Sequence, residues 1–194
     1  MANRLSIVVV EADRDRALLM IESLREAGDH DVQVISEVSS LGRKIAERNP
    51  DVVLIDIANP SRDTIEELTL ATSPLDRPVA VFVDQSDGSL TKAAIEAGVS
   101  AYVVDGLRPE RVKPVVDAAI TRFNMFRRMR EELAETKRAL EERKLIDRAK
   151  GMLMKAKGIE EDAAYALLRK TAMDQGKKIA EVAAALVTAA ELLS

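Results

Sequence analysis

The chain has 194 residues, of which 47% are apolar and 32% charged, a balance typical of folded domains rather than disordered ones. It contains no Cys, which excludes disulfides, thiolate metal sites and cysteine nucleophiles, and its N-terminal apolar run is too short for a signal peptide or a membrane span, so we expect a cytoplasmic protein. The net charge of -4 is unevenly distributed: residues 1–121 have 13 Lys and Arg against 21 Asp and Glu, whereas residues 122–194 have 16 against 12. This asymmetry indicates a control module joined to a module with an anionic partner.

Residues 1–121 alternate short β-branched runs with amphipathic segments, the pattern of a parallel sheet covered by helices. The expected strands are 5–10, 31–36, 51–57, 78–83 and 100–104. Five strands and five helices in strict alternation predict an α/β fold, a doubly wound five-stranded parallel sheet of order 2-1-3-4-5. Ligands of such sheets bind at the carboxyl ends of the strands, which here places three segments around one crevice: 11–13, 56–59 and 83–85.

One long helix is expected from Pro109 onward, because no Gly occurs between residues 107 and 150 and the internal Pro114 lies near the start. Apolar side chains then recur alternately three and four residues apart, with Thr136 in register, at Phe126, Met129, Leu133 and Leu140. This heptad seam predicts a coiled-coil helix that forms a homodimer; the alternative is an exposed connecting helix.

Two shorter helices are expected after Gly158, separated by Gly176. The predicted apolar face of the first comprises Ala164, Leu167, Leu168, Ala172 and Met173. That of the second comprises Ile179, Val182, Leu186, Ala190 and Leu193. Together with the end of the long helix they predict an all-α three-helix bundle. The expected domains are therefore a first domain, a coiled-coil linker helix and a C-terminal domain, at residues 1–121, 122–145 and 146–194.

Acidic residues stand where two predicted strands end, with Glu11 after the first and Asp56 within Leu-Ile-Asp at the end of the third. With Pro109 after the fifth strand, this pattern resembles the receiver domains of two-component response regulators. The resemblance places Asp56 at the phospho-acceptor position and Glu11 at the first position of the acidic pair that binds Mg²⁺. The second position of that pair is Ala12.

Two further departures affect phosphorylation. Val83 replaces the hydroxyl residue that receivers have at the end of strand 4, and Asp105-Gly106 replaces their Lys-Pro pair after strand 5. A phosphoryl group on Asp56 would then face a carboxylate instead of an ammonium group, which costs about 1 kcal/mol or more at ~4 Å. We therefore expect Asp56 to be an inactive phospho-acceptor position.

The crevice is accordingly expected to be an acidic pocket formed by Glu11, Asp13 and Asp105, with no bound metal or other cofactor. The alternative is that Asp13 or Asp15 replaces the missing metal ligand, which would preserve phosphorylation.

Residues 146–187 resemble the ANTAR domain, a three-helix RNA-binding module that opposes transcription termination by stabilising two hairpins in a leader transcript. The matching elements are Ala149-Lys150-Gly151, Leu153-Met154, residues 161–165, Leu168-Arg169 and Ala172-Met173. The resemblance covers about a quarter of the chain and implies that this segment binds a two-hairpin leader RNA.

The candidate RNA-binding residues are mostly cations that can contact phosphates. They are Arg148, Lys150, Gly151, Lys155, Tyr165, Arg169, Lys170, Lys177 and Lys178. Gly151 lies inside a helical pattern, where either close approach of nucleic acid or tight helix packing would explain it. Tyr165 can stack on an unpaired base or belong to the core.

Other function classes fit less well. A DNA-binding response regulator is one alternative, since residues 179–186 resemble the first helix of a helix-turn-helix, but the recognition helix that this motif needs does not follow in the sequence. A protein-interaction adaptor is another. An enzyme is not expected: there is no P-loop, dinucleotide-binding glycine motif or Ser-His-Asp arrangement, and His30, the single histidine, is expected in a surface loop.

Over its whole length the chain is similar to NasT-type regulators of nitrate and nitrite assimilation, in the AmiR/NasT family. The resemblance implies that a nitrate/nitrite-sensing partner, NasS-like, sequesters the protein until its ligand binds. The regulator is then free to bind leader RNA, as homologous AmiR-type proteins do in response to amides.

Overall fold

The structure, a computed structural model, describes residues 4–28, 30–37 and 39–192. The chain divides into two compact units, with the boundary between residues 128 and 129. No helix among the described residues is both long and apolar enough to cross a membrane.

The N-terminal unit is an α/β sheet whose five strands are all parallel, in the order β2-β1-β3-β4-β5. The predicted fold class and strand order are confirmed. The elements are β1 (Ser6–Val10), α1 (Arg14–Ala27), β2 (Asp31–Ile35), α2 (Leu41–Arg48), β3 (Val52–Ile57), α3 (Arg62–Thr72), β4 (Val79–Val83), α4 (Gly88–Glu96), β5 (Ala101–Val103) and α5 (Pro109–Lys157).

Both faces of the sheet are buried, which explains why the central strands are nearly continuous runs of Val, Ile and Leu. Val8, Val53 and Val81 point to one face, where α2, α3 and α4 supply further apolar side chains. Alternate residues such as Ile7 and Leu54 point to the other face and meet α1 and the start of α5. The polar residues that follow the strands are therefore held at the carboxyl edge of a rigid sheet.

The predicted long helix is present as α5, which has 49 residues and includes Pro114 in its second turn. The residues of the heptad seam are all exposed within the chain: Phe126 (45%), Met129 (57%), Leu133 (55%) and Leu140 (52%). Large apolar side chains at this spacing remain available to cover a matching surface.

In the C-terminal unit the end of α5 packs with α6 (Glu161–Gln175) and α7 (Ile179–Leu192). These helices form the predicted three-helix bundle. The buried positions are mainly small or aliphatic: Ala149, Leu153, Ala164, Leu168, Ala172, Ala183 and Val187. Gly176 ends α6 with φ 61°, in the left-handed region, and reverses the chain into α7.

Two details of the predicted apolar faces need correction. Met173, expected on the buried face of α6, is 72% exposed. On α7 the fully buried positions are Ala183 and Val187, and the predicted Ile179, Val182 and Leu186 are only partly buried around them, because the narrow space between the helices admits small side chains best. Leu193 lies outside the described residues.

Candidate functional sites

The carboxyl edge of the sheet brings three carboxylates around one arginine. Glu11 follows β1, Asp56 lies near the end of β3, and Asp84 follows β4, where its N–H donates to the Ala58 carbonyl oxygen at 3.1 Å. Arg16, in the first turn of α1, reaches all three carboxylates. The predicted crevice therefore exists, and a guanidinium group lies within it.

Arg16 donates two hydrogen bonds to each of two carboxylates, those of Asp56 and Asp84. Its Nε donates to Asp56 Oδ2 at 3.0 Å and its Nη2 to Asp56 Oδ1 at 2.5 Å. Nη1 and Nη2 donate to the two Asp84 oxygens at 2.8 and 3.1 Å. These hydrogen bonds, first to Asp56 and then to Asp84, raise the pKa of Arg16, so the group is charged at any physiological pH.

Glu11 is the carboxylate of the cluster that Arg16 compensates least, since it receives no hydrogen bond from that side chain. Its Oε1 accepts the Asp13 N–H at 2.7 Å, whereas the buried Oε2 has no well-aligned hydrogen bond, although it lies 3.3 Å from Arg16 Nε. Burial raises the pKa of Glu11, and the neighbouring Asp56 carboxylate acts in the same direction, while the Asp13 N–H and Arg16 partly oppose them. The ionised form of Glu11 is therefore less favourable in the folded chain than in the unfolded one.

We expect replacement of this glutamate by its neutral isostere, Glu11→Gln, to stabilise the chain increasingly as pH rises. Because the pKa of Glu11 is raised on folding, the wild type gains relative stability below the ordinary glutamate range and loses it as pH rises through the raised value. Thermal unfolding from mildly acidic to neutral pH measures the difference. The exposed Glu22→Gln is the control, and a constant difference between Glu11→Gln and the wild type across this range would contradict the expected pKa.

Of the three residues predicted to form the acidic pocket, only Glu11 belongs to the observed cluster of carboxylates around Arg16. The carboxylate of Asp13 caps α1, accepting the Asp15 and Arg16 N–H groups at 2.9 and 3.0 Å, so it is engaged at the helix terminus. Asp105 is exposed, with φ 77°. Asp84 takes the place next to Asp56 that the sequence reasoning gave to Asp105.

Sequence reasoning placed segment 83–85 at the crevice without singling out Asp84, and it missed Arg16, although both residues had a signal. Asp84 directly follows a fully buried strand, so it must emerge at the same edge as Asp56. Buried carboxylates at that edge need a compensating cation, and Arg16 lies in the first turn of the helix that leaves the same edge. Gly106 completes the arrangement, since a Cβ there would lie 2.7 Å from Asp84 Oδ1.

His30, expected in a surface loop, lies in a loop and is partly buried. His30 Nδ1 accepts the Leu5 N–H at 3.4 Å, on the side of the fold where β2 begins. Among the residues that the structure describes, no three His, Cys, Asp or Glu side chains are arranged to hold a metal ion.

A second candidate site lies in the C-terminal unit, where the predicted RNA-binding cations fall into two groups. Two of them form ion pairs between helices. Arg148 Nη2 lies 2.8 Å from Glu191 Oε1 of α7, and Lys150 Nζ lies 2.7 Å from Asp147 Oδ1 and 2.6 Å from Glu161 Oε1 of α6. Hydrogen bonds to Asp147 and then Glu161 raise the pKa of Lys150, whose side chain is only 15% exposed. Lys150 thus joins α5 to α6.

The second group is exposed, and three of its members border a groove of 460 Å³. Arg169 of α6 and Lys177 and Lys178 of the turn before α7 stand at its rim, and the exposed Met173 lies among them. The turn is fixed by Lys177 N–H donating to the Ala172 carbonyl oxygen at 2.9 Å. We call Arg169, Lys177 and Lys178 the basic rim. Glu142 is the acidic residue in the lining of this groove.

Two uncharged candidates are also exposed. Tyr165 is 42% exposed on α6, four residues before Arg169, and is thus not a core residue. A Cβ on Gly151 would meet no described atom within 4 Å, so tight packing within the chain does not explain this glycine. Lys155 and Lys170 are exposed as well.

The two units define a class of protein: a response regulator with a receiver fold in front and an ANTAR domain behind. The ANTAR domain family matches residues 134–187. The chain is 32% identical to the transcriptional regulatory protein PdtaR of Mycobacterium tuberculosis, in an alignment that covers 87% of this chain and 85% of that protein. The chain belongs to the family of ANTAR-containing response regulators of the NasT type.

A shorter match links the chain to a nitrate regulatory protein of Klebsiella oxytoca. The two are 51% identical over 57 residues, which is 29% of this chain and 14% of that protein. Solved structures resemble the receiver fold. The BeF₃-activated receiver domain of RstA from Klebsiella pneumoniae aligns over 59% of this chain and 97% of its own, with TM-score 0.51 and 23% identity. NtrX from Brucella abortus aligns over 66% of this chain and 29% of its own, with TM-score 0.54 and 21% identity.

Proposed function

We propose that the protein is a cytoplasmic transcription antitermination regulator that binds a two-hairpin leader RNA through its C-terminal unit. The observation that supports this most directly is the basic rim, which lies in a segment matched by the ANTAR family and presents three exposed cations around one groove. Exposed cations are the groups that displace counterions from phosphates and provide affinity for RNA. Tyr165 adds an exposed ring that can stack on an unpaired base.

The direct test is a titration of the full chain against a labelled two-hairpin leader RNA, with duplex DNA of matched sequence and a scrambled RNA as competitors. We expect the leader RNA to bind, and we expect that neither competitor displaces it at equal concentration. Preferential binding to the duplex DNA would support a DNA-binding regulator instead. Binding to neither nucleic acid would leave a protein-interaction adaptor as the better description.

Gly151→Ala separates RNA contact from helix stability. Alanine in an exposed helical position stabilises the helix by about 1 kcal/mol relative to glycine, so unfolding of the C-terminal unit should shift upward. If RNA backbone approaches Gly151 closely, the added methyl group should nevertheless weaken RNA binding, by about tenfold.

Unfolding curves and RNA titrations of the same preparation measure both effects. Gly88→Ala is the matched control, because a Cβ there also meets nothing within 4 Å and Gly88 lies in α4 of the N-terminal unit. A stabilised Gly151→Ala variant with unchanged RNA affinity would remove Gly151 from the proposed interface.

The heptad seam supports a homodimer. Phe126, Met129, Leu133 and Leu140 are about half exposed, and the residues between them are mostly charged, as in helices that associate along one stripe. A second copy of the chain offers the same stripe and so covers it by symmetry. We propose that the dimer forms at least when RNA is bound, since two copies can then engage two hairpins together.

Regulation is proposed to run through a partner protein and not through phosphorylation of Asp56. A nitrate/nitrite-sensing, NasS-like protein would hold the regulator in a state unable to bind RNA, and its ligand would shift that population. The likeness to a nitrate regulatory protein supports nitrate or nitrite assimilation genes as the targets.

A further inference from the structure

The crevice at the carboxyl edge of the sheet is closed by its own arginine. Arg16 makes paired hydrogen bonds with both oxygens of Asp56 and both oxygens of Asp84, and its Nε also lies 3.3 Å from Glu11 Oε2. The Asp56 side chain is only 1% exposed. Both Asp56 oxygens are thus engaged and shielded from solvent.

A divalent cation and a phosphoryl group would each need the oxygens that Arg16 already holds. Mg²⁺ takes carboxylate oxygens at close to 2 Å in octahedral geometry, which cannot be combined with a guanidinium group between the same carboxylates. A phosphoryl donor would have to approach one Asp56 oxygen, but Arg16 Nε and Nη2 each hold one of the two oxygens, and the Asp56 side chain is only 1% exposed.

The position of Arg16 is fixed by the fold. The backbone N–H of Arg16 donates to the Asp13 carboxylate that caps α1, so the first turn of the helix is anchored directly beside the ends of β1 and β3. A bidentate guanidinium pair has a defined geometry that a lysine cannot reproduce. A side chain of the protein, Arg16, therefore supplies the positive charge that the three carboxylates require.

We propose that Arg16 is a built-in counter-cation that takes the place of a metal ion and closes the receiver crevice, so that Asp56 neither binds Mg²⁺ nor accepts a phosphoryl group. The receiver fold is then held in one state irrespective of metal and phosphoryl donors. This inference concerns the N-terminal unit alone and stands or falls independently of RNA binding by the C-terminal unit.

The first test uses the wild-type full chain with acetyl phosphate and millimolar Mg²⁺. In the reaction under test an Asp56 carboxylate oxygen forms a bond to phosphorus while the bond from phosphorus to the acetyl oxygen breaks and acetate leaves. We expect intact-mass measurement to show no phosphoryl adduct, and thermal unfolding to be the same with Mg²⁺ as with NaCl of equal ionic strength. A phosphoryl adduct lost in Asp56→Asn would overturn the proposal.

The second test removes the cation. Arg16→Ala leaves three carboxylates without their partner, so its unfolding temperature should fall by about 5 to 10 °C. Mg²⁺ should then restore part of the loss, because it binds through as few as one or two carboxylates and waters, and Asp56 and Asp84 are freed from Arg16. Arg14→Ala removes an exposed arginine from the same helical turn and should show neither effect.

Arg16→Gln keeps hydrogen-bond donors but loses the charge, and it provides the same comparison if Arg16→Ala does not fold. Stabilisation by Mg²⁺ in an Arg16 variant and not in the wild type supports the built-in cation. Equal stabilisation of the wild type and the Arg16 variants by Mg²⁺ would contradict it, because the metal would then bind despite Arg16. Titration of leader RNA with the same proteins shows whether RNA binding is affected separately.

Discussion

Replacing the whole basic rim, Arg169, Lys177 and Lys178, by Ala is expected to lower affinity for leader RNA on the order of 100-fold near physiological salt. Each phosphate contact releases close to one counterion, so the loss of three contacts should also reduce the slope of log affinity against log salt by about 2 to 3. Filter-binding titrations over a range of salt concentrations measure both quantities. The rim residues are exposed, so the fold should be unaffected.

The matched comparison is with cations of the same unit that already have partners. Lys150→Ala breaks ion pairs with Asp147 and Glu161, so it should change the stability of the bundle more than the salt slope. Lys92→Ala, on α4, removes an exposed charge outside the ANTAR segment. If the rim variant kept the wild-type slope while Lys150→Ala lost it, the RNA-binding surface would lie around Lys150 and not at the basic rim.

Leu133→Lys is expected to lower the affinity of the proposed dimer at least ~100-fold. In a symmetric coiled coil each copy would place an ammonium group in the apolar seam, and burying unpaired charges of this kind costs about 3 kcal/mol or more. Sedimentation equilibrium or light scattering of the full chain, alone and with leader RNA, measures the change.

Ala134→Lys is the matched control, since it adds the same side chain at the next residue, outside the three-and-four spacing of the seam. Both variants keep a good helix former in α5. An unchanged dimer mass for Leu133→Lys would show that another surface mediates association, and a wild-type chain that stays monomeric with RNA would exclude the seam as an interface.

The fold was predictable because its signals are local and repeated. Buried parallel strands read as continuous runs such as Val52–Ile57, and the long helix is marked by the absence of Gly over more than 40 residues. The confirmed sheet order follows from the alternation of strands and helices. The burial of Met173 was predicted wrongly because helical spacing gives the direction of a side chain but not the distance to a packing partner.

The residues that form the crevice were less predictable, since they depend on which side chains pair with one another in the folded chain. The sequence indicated that carboxylates gather at the end of the sheet, but it does not show that Asp13 caps a helix or that Arg16 turns inward. Likewise, Arg148 and Lys150 look like any other cations of the basic half, and only the structure shows that acids on neighbouring helices pair with them. Ion pairing between distant residues has no periodic signal in sequence.

We propose that the chain prevents transcription termination by binding leader RNA. The most direct measurement is single-round transcription in vitro on a template with a two-hairpin leader that overlaps a terminator, with purified full-length protein added and no partner protein present. We predict that read-through rises with wild-type protein and does not rise with the variant lacking Arg169, Lys177 and Lys178. Read-through that stays at the basal level while the wild type binds the same RNA would contradict an antitermination function.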